Sequence, residues 1–342
     1  MTIASAVVSI AQMPTPPPPR LPVVGPPQHG VAVYARDLAE AVAAASAGEA
    51  GPSSDADRTH LHVTDRLFGS TPEEAAERVE LLAATTTLTI TLHDVPQPSD
   101  GTAFPRRVAA YRRFVGAARG VVVNSRHEAD LVREHLGFSD VAVVPIGTRT
   151  GNPALRPAAA TPDGSVRTVM IAGFIYPGKG HLETILATGE AAGADGGERP
   201  AVVAIGSPSA GHERDVDELF RAASAAGVDL RVTGFLDAAA YRRAQRAPGV
   251  AVAAHQHVSA SRSILDWAEA GRRALVASSG YFREMDALRP GTITLFQPEQ
   301  LAHRIREAWC DPGATWLAPS TVLAPTLADV AADYRRWWAA RA

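Results

Sequence analysis

The sequence predicts a two-lobed α/β protein, each lobe a Rossmann-like layer of parallel strands flanked by helices, with a cleft between the lobes. Three observations predict it. Short apolar runs alternate with amphipathic stretches along most of the chain, the rhythm of βα units that makes a sheet parallel. That rhythm breaks once, over residues 148–167 (TRTGNPALRPAAATPDGSVR), where Pro, Gly, Ala and Thr concentrate without periodicity, and then starts afresh. The length, 342 residues, exceeds the ~250–300 at which single cores stop growing. The reading divides the chain into an N-terminal lobe (1–150), a linker (151–167), a C-terminal lobe (168–325) and a final helix (326–342) packing back on the first lobe.

In the first lobe, residues 3–10 (IASAVVSI) form a short apolar run suited to a buried strand. The stretch that follows carries eight prolines between Pro14 and Pro27, which excludes a helix or a central strand and predicts a stiff loop. A helical pattern runs from Val31 to Ala45. Asp55-Ala-Asp57 resembles a metal-binding Asp-x-Asp pair, but it stands in a Gly/Pro/Ser loop before a strand and reads as solvated surface. HLHVTDRLFG is a strand, and Thr71-Pro72-Glu73-Glu74 opens a helix with proline in its first turn. LTITLHDVP (88–96) is a strand ending in His93-Asp94, a helix lies near 105–118, and GVVVNS is a further strand. Ser125-Arg126-His127-Glu128 then reads as a capping box, before the strand VAVVPIG at 141–147.

The second lobe repeats the pattern: TVMIAGFIYP, a helix from about 180, AVVAIGSP, a helix near 212–226, DLRVTGFLD, a helix from Ala238, GVAVAAHQHV, a further helix, and ALVASSG. In such sheets the ligand site lies at the carboxyl ends of the strands. The last helix, Thr326 to Ala340, carries DYRRWWAA. Its tryptophan pair is open to two readings, packing on the protein or weak association with a membrane surface.

Composition narrows the classes. The net charge is −3 with basic residues scattered rather than striped, which excludes a nucleic-acid footprint. No apolar run reaches the ~18 residues of a membrane helix, and the N-terminus lacks a basic signal region, which predicts a cytoplasmic protein. A single cysteine, Cys310, excludes an intramolecular disulfide and a cysteine metal cluster.

One residue stands out chemically. Lys179 is the only lysine among 33 basic residues, and it sits in a Gly/Pro turn between a strand and a helix, in AGFIYPGKGHLETILATG. Glycine turns and helix N-termini present free N–H groups, and an ammonium beside them completes an anion site, for which phosphate is the natural guest. The order of a Walker loop is missing, with His181 after Gly180. In HQHVSASRSILDWAEAG (255–271), Ser259, Ser261 and Ser263 set hydroxyls beside a helix start and Arg262 adds a guanidinium fork, so this turn is expected to face Lys179 as a phosphate cradle. The alternative is a capping motif over Ser263–Asp266. Two histidine pairs, His60/His62 and His255/His257, each share a strand face and leave a His-ligated metal hydrolase as a rival reading, with Asp65 or Asp94 as added ligands.

The glycine-led strand end followed by Lys-Gly and an apolar helix, Gly173 to Gly180, resembles the donor domain of the retaining, nucleotide-sugar-dependent glycosyltransferases of the GT-B fold. This is the large family 4-like group that includes sucrose synthases and mannosyltransferases. GPPQHGVAVYARDLAEAV, TLHDVP, VVVNSRHEADLVREHLG and VAVVPIG resemble its first-lobe features, and Gly206 and Gly234-Phe235 its next two strand ends. The resemblance implies a hexosyltransferase using a UDP- or GDP-linked sugar as co-substrate, with retention, and with no cofactor or required metal. The acceptor, a small molecule, lipid or glycan, is undefined. It implies Lys179, Ser259, Ser261 and Arg262 on the donor diphosphate, Gly30 supplying backbone N–H groups to it, His93 by the transferred sugar, and Gly206, Gly234, Phe235 and Asp266 around the nucleoside. The chain departs from the family where two glutamates eight positions apart are usual: Asp266 stands at the second, Val258 at the first. Phe174 replaces a frequent cation. These departures motivate a further alternative, a GT-B-like protein that binds the nucleotide sugar without turning it over.

Overall fold

The computed structural model describes residues 16–47, 54–157, 167–193, 198–256 and 258–341. The expected strand 3–10, residues 158–166 of the expected linker, and His257 lie outside them.

The first half runs β1 (Pro19–Arg20), α1 (Gly30–Ser46), β2 (Asp55–Val63), α2 (Asp65–Phe68), α3 (Pro72–Ala83), β3 (Thr87–Leu92), α4 (Phe104–Ala117), β4 (Gly120–Val123), α5 (Arg126–Leu131) and β5 (Val141–Val143). Its strands form one parallel sheet in sequence order, β1-β2-β3-β4-β5. Helices cover both faces, so the strands read as apolar runs rather than alternations: Val121, Val122 and Val123 have no exposed surface. The N-caps form where the sequence indicates, with the hydroxyls of Thr71 and Ser125 accepting from the N–H groups of Glu74 and Glu128, although the capping box at Ser125 does not close because the Glu128 carboxylate is engaged elsewhere. Two local readings are corrected. The proline-rich stretch supplies β1, two residues at the sheet edge, where a missing N–H costs least. Asp55-Ala-Asp57 belongs to β2 itself, and Asp55 is bound to Arg58 at 2.7 Å, because the strand starts earlier than its apolar part.

The second half runs β6 (Thr168–Ala172), α6 (His181–Ala192), β7 (Ala201–Ile205), α7 (Glu213–Ala225), β8 (Asp229–Val232), α8 (Ala238–Gln245), β9 (Val250–Ala253), α9 (Arg262–Glu269), β10 (Ala274–Ala277), α10 (Gly280–Leu288), β11 (Ile293–Phe296) and α11 (Leu301–Cys310). The parallel sheet is ordered β11-β10-β9-β6-β7-β8. Counted from β6 this is the doubly wound order 3-2-1-4-5-6, whose direction reverses between β6 and β9, and the crevice beyond that switch point is where such sheets bind ligands. α10, β11 and α11 extend the second lobe beyond the elements read from the sequence.

α12 (Leu327–Ala339), capped by Thr326 and Asp329, returns to the first lobe, where Val330, Ala331, Tyr334 and Trp338 pack with Leu38 and Val42 of α1. The Tyr334 hydroxyl lies 2.7 Å from Thr91 Oγ1 on β3. This overturns the membrane-surface reading of the tryptophan pair: Trp338 is buried in the lobe, and Trp337 packs beside it with the Arg341 guanidinium 4.7 Å from its ring. Among the described residues no helix is long and apolar enough to cross a membrane.

Candidate active site

The site grows from the two strand ends at the switch point. β6 ends at Ala172 and leads through Gly173 and a turn to Lys179 and the start of α6; β9 ends at Ala253 and leads through the serine-rich turn to α9. The two turns are packed without slack. Gly180 has φ +94°, and a Cβ there would come within 2.2 Å of the Ala254 carbonyl oxygen, so no other residue fits between the lysine and its helix. The Gln256 N–H donates to the Gly178 carbonyl at 2.9 Å, tying the second turn to the first.

This packing buries Lys179. Its ammonium donates to His255 Nε2 at 2.7 Å and to Ser263 Oγ at 3.4 Å, and Ser263 Oγ lies 3.0 Å from Ser261 Oγ. Burial lowers the Lys179 pKa to about 8, partly opposed by the Asp266 carboxylate. His255 is pushed well below the ordinary histidine range by burial and by Lys179, which leaves it a neutral acceptor. A desolvated cation held by one imidazole and a ladder of hydroxyls can take a doubly charged oxyanion with little rearrangement. Ser263 faces Lys179 as expected of its turn, whereas His255 and its bond to the ammonium were missed because the spacing of His255 and His257 suggests a metal pair. The signal that could have found His255 is its place after β9, the strand next to β6 at the switch point.

The serine-rich turn does more than face the lysine. The N-cap of α9 is Ser261, without a side-chain cap bond, so the capping motif over Ser263–Asp266 does not form. Ser259 reaches across to the first lobe: its hydroxyl donates to Glu128 at 2.5 Å and accepts from the Val95 N–H at 3.0 Å. Glu128 is fully buried, and burial raises its pKa to about 8 against hydrogen bonds from Ser259 and the Asn124 N–H that favour the carboxylate. Its carboxylate therefore serves Asn124 and Ser259 rather than closing a capping box on Ser125.

Arg262 is turned away from Lys179. It bonds Glu269 at 2.6 Å and the Gly147 carbonyl at 2.9 Å, and forms an ion pair with Asp266 at 3.0 Å. Arg149 joins the same carboxylates, and the opposite lobe's Asp37, so Asp266 carries two guanidinium groups. Val258, where a glutamate was expected, is buried in the apolar cluster with Ile264, Tyr281 and Phe282. Gly206 lies against β6, where a Cβ would meet the Gly173 carbonyl oxygen at 2.1 Å, and the turn at Gly234 leaves Phe235 69 % exposed.

In the first lobe, Gly30 begins α1, capped by His29, whose Nδ1 accepts from the Val31 N–H. His93 follows β3 and is buried, with Nε2 2.9 Å from Nδ1 of His62. The next residue, Asp94, is held at φ +54° by Arg107, which bonds both its carbonyl and its carboxylate, while Tyr111 donates to the carbonyl of His93 at 2.8 Å. This backbone strain beside His93 is fixed by a buried arginine that also binds Asp65 and Asp100.

The described histidines of these pairs do not converge on a metal site. His60 bonds Thr89 and Thr91, His62 bonds His93, and His255 bonds Lys179 in the other lobe. Among the described residues no group of three or more His, Cys, Asp or Glu side chains is arranged to hold an ion.

No protein-family model matches the chain, and no curated protein matches it. Solved structures do. The sucrose-phosphate synthase of Thermosynechococcus elongatus is similar over 93 % of this chain and 92 % of its own, with a TM-score of 0.64 and 15 % identity. HepE of Anabaena in complex with UDP and glucose is similar over 92 % of this chain and 83 % of its own (TM-score 0.59, 16 % identity). An α,α-trehalose-phosphate synthase (UDP-forming) of Burkholderia xenovorans, in complex with glucose-6-phosphate, is similar over 91 % of this chain and 77 % of its own (TM-score 0.62, 12 % identity). The fold is that of the GT-B glycosyltransferases.

Proposed function

We propose that the chain is a glycosyltransferase that moves a hexosyl group from a nucleotide-diphosphate sugar, with UDP as the favoured nucleotide, to an acceptor hydroxyl. The observation that carries the reading is the buried Lys179, held by His255 and Ser263 at the switch point of the second sheet. The UDP or sugar phosphate in structures of the same fold supports it. Lys179, Ser261 and Ser263 take the diphosphate, the first turn of α1 at Gly30 faces it from the other lobe, and His93 lies by the transferred sugar. Gly206, Gly234 and Phe235 border the nucleoside. Asp266 would share its carboxylate between two arginines and the ribose, and Arg262 is assigned to that ion network instead of the phosphate.

In this reading the bond from the sugar's anomeric carbon to the diphosphate oxygen breaks as the acceptor oxygen bonds that carbon on the same face. The acceptor's proton passes to the leaving phosphate. Lys179 neutralises the charge that grows on the leaving oxygen, the task for which no metal is then required. Removing one such preorganised contact costs about 2.7–4 kcal/mol of transition-state stabilisation, so Lys179→Ala should lower turnover about a hundredfold or more. Near-wild-type turnover in that variant would overturn the assignment.

The donor is found by thermal shift against UDP-, GDP-, ADP- and TDP-sugars, since a ligand at 100 times its Kd adds about 2.7 kcal/mol of stability. Release of nucleoside diphosphate separates this reading from a second one, binding without turnover, which the burial of Val258 and the engagement of Ser259 by Glu128 favour. The setting that goes with the reading is cytoplasmic, in keeping with a single free cysteine.

A further inference from the structure

His60, His62 and His93 stand in line through the first lobe, and all three are buried. His60 is pinned at the far end. Its Nδ1 lies 2.9 Å from Thr89 Oγ1 and is also met by the Trp338 indole N–H at 3.4 Å, and its Nε2 lies 3.0 Å from Thr91 Oγ1. His62 packs edge to face on His60 and Tyr34, with ring centres 5.2 and 5.3 Å apart, and Tyr334 lies beyond. Its Nδ1 bonds His93 Nε2, and its Nε2 is buried with no partner among the described residues. Burial holds His62 and His93 well below the ordinary histidine range, so both rings are neutral and one proton lies between them.

Which ring donates follows from the orphaned nitrogen. If His93 donated, His62 would carry its own proton on Nε2, a buried N–H with nothing to accept it. If His62 donates from Nδ1, its Nε2 is left as a bare lone pair. Unpaired buried N–H groups are the rarer and costlier of the two. We infer that His62 is a positioning residue that fixes His93 as the Nδ1–H tautomer, so that the ring nitrogen not bonded to His62 is a hydrogen-bond donor and not an acceptor. His93 Nδ1 takes no partner from the described residues and is left for a ligand. What it would meet, a hydroxyl oxygen of the transferred sugar, rests on the glycosyl-transfer reading; the tautomer does not.

The test uses the full chain labelled with 15N-histidine, with His93 assigned by its loss in His93→Gln. In the wild type the long-range 15N–1H spectrum should show His93 protonated at Nδ1 and bare at Nε2 throughout pH 6–8. His62→Asn, whose amide nitrogen takes the place of Nδ1 as donor, should keep that pattern, and His62→Leu should shift it toward protonation at Nε2. A wild type protonated at Nε2, or a pattern unchanged in His62→Leu, overturns the inference; if His62→Leu does not fold, the wild-type spectrum still decides. In turnover assays His62→Leu should lower kcat about tenfold, near the worth of one hydrogen bond, with KM within twofold, and His62→Asn should stay within threefold of wild type. A wild type that turns over no donor sinks the glycosyl-transfer reading and leaves the spectra to judge the tautomer.

Discussion

Lys179 drew notice in the sequence for its solitude, and its environment gives that solitude a chemical consequence. With a pKa of about 8 in the folded chain and 10.5 as an ordinary lysine, it loses its proton in the fold first as pH rises. Between those values the unfolded chain holds more protons, so raising the pH stabilises the fold, while below 8 the cost of burying the charged form persists in full. Diphosphate binding has the opposite sign. The terminal phosphate is fully ionised above pH 7, given a second pKa near ~6, and it favours the ammonium. Affinity for UDP should therefore be greatest below pH 8 and fall toward a limiting tenfold per unit above it. Lys179→Arg, charged throughout, should bind with little change from pH 7 to 9.5. Calorimetric titration of both proteins over that range checks this, and a wild-type affinity that stays flat would separate Lys179 from the phosphate.

At the scale of elements, the βα rhythm and the caps at Thr71 and Ser125 were legible because each depends on neighbours in sequence. α10, β11 and α11 were not: β11 is four residues long with two of them half-buried, and α10 begins on Ser279-Gly280, which reads as a turn. The site was legible in part. Its lysine announced itself by composition, and the serine-rich turn by its hydroxyls. The partners of that turn depend on which strands are adjacent and which lobe lies across the cleft, and spacing holds no record of either. Ser259 is the example, for its partner Glu128 stands 131 positions away at the start of α5. That contact should be visible in the stability of the protein. The Glu128 pKa is raised to about 8 from 4.5, so the folded state holds a proton the unfolded chain gives up, and stability falls as pH rises through that window. Glu128→Gln removes the titration while its amide keeps a partner for Ser259 and for the Asn124 N–H. Its gain in Tm over the wild type should grow from pH 5 to 8 and level off above. A difference independent of pH would mean that the carboxyl ionises normally in the fold.

For the whole molecule, the contacts between lobes fall into two groups with different duties. One surrounds the crossing of the chain: Arg289 donates to the carbonyls of Ile146, Leu323 and Pro325, and Arg149 and Arg262 bind Asp37, Asp266, Glu269 and Gly147. The other spans the cleft, where Glu128 meets Ser259 and the Glu284 carboxylate accepts from the N–H groups of Arg126 and His127 at 2.7 and 3.0 Å. A carboxylate from α10 thus sits on the N-terminus of α5, at the favourable end of its dipole. If the lobes turn about the crossing of the chain, the first group can persist through the rotation, whereas the second, on the cleft side, parts when a nucleotide sugar enters. Breaking the second group alone should therefore open the protein without unfolding it. Glu284→Ala is expected to raise the radius of gyration of the free protein in small-angle scattering, and saturating UDP should bring it back toward the wild-type value. The wild type should itself contract less on adding UDP, since its cleft-side contacts already hold part of the population closed. Scattering that is the same for both proteins, with and without nucleotide, would mean that the lobes are fixed and that the donor enters by another path.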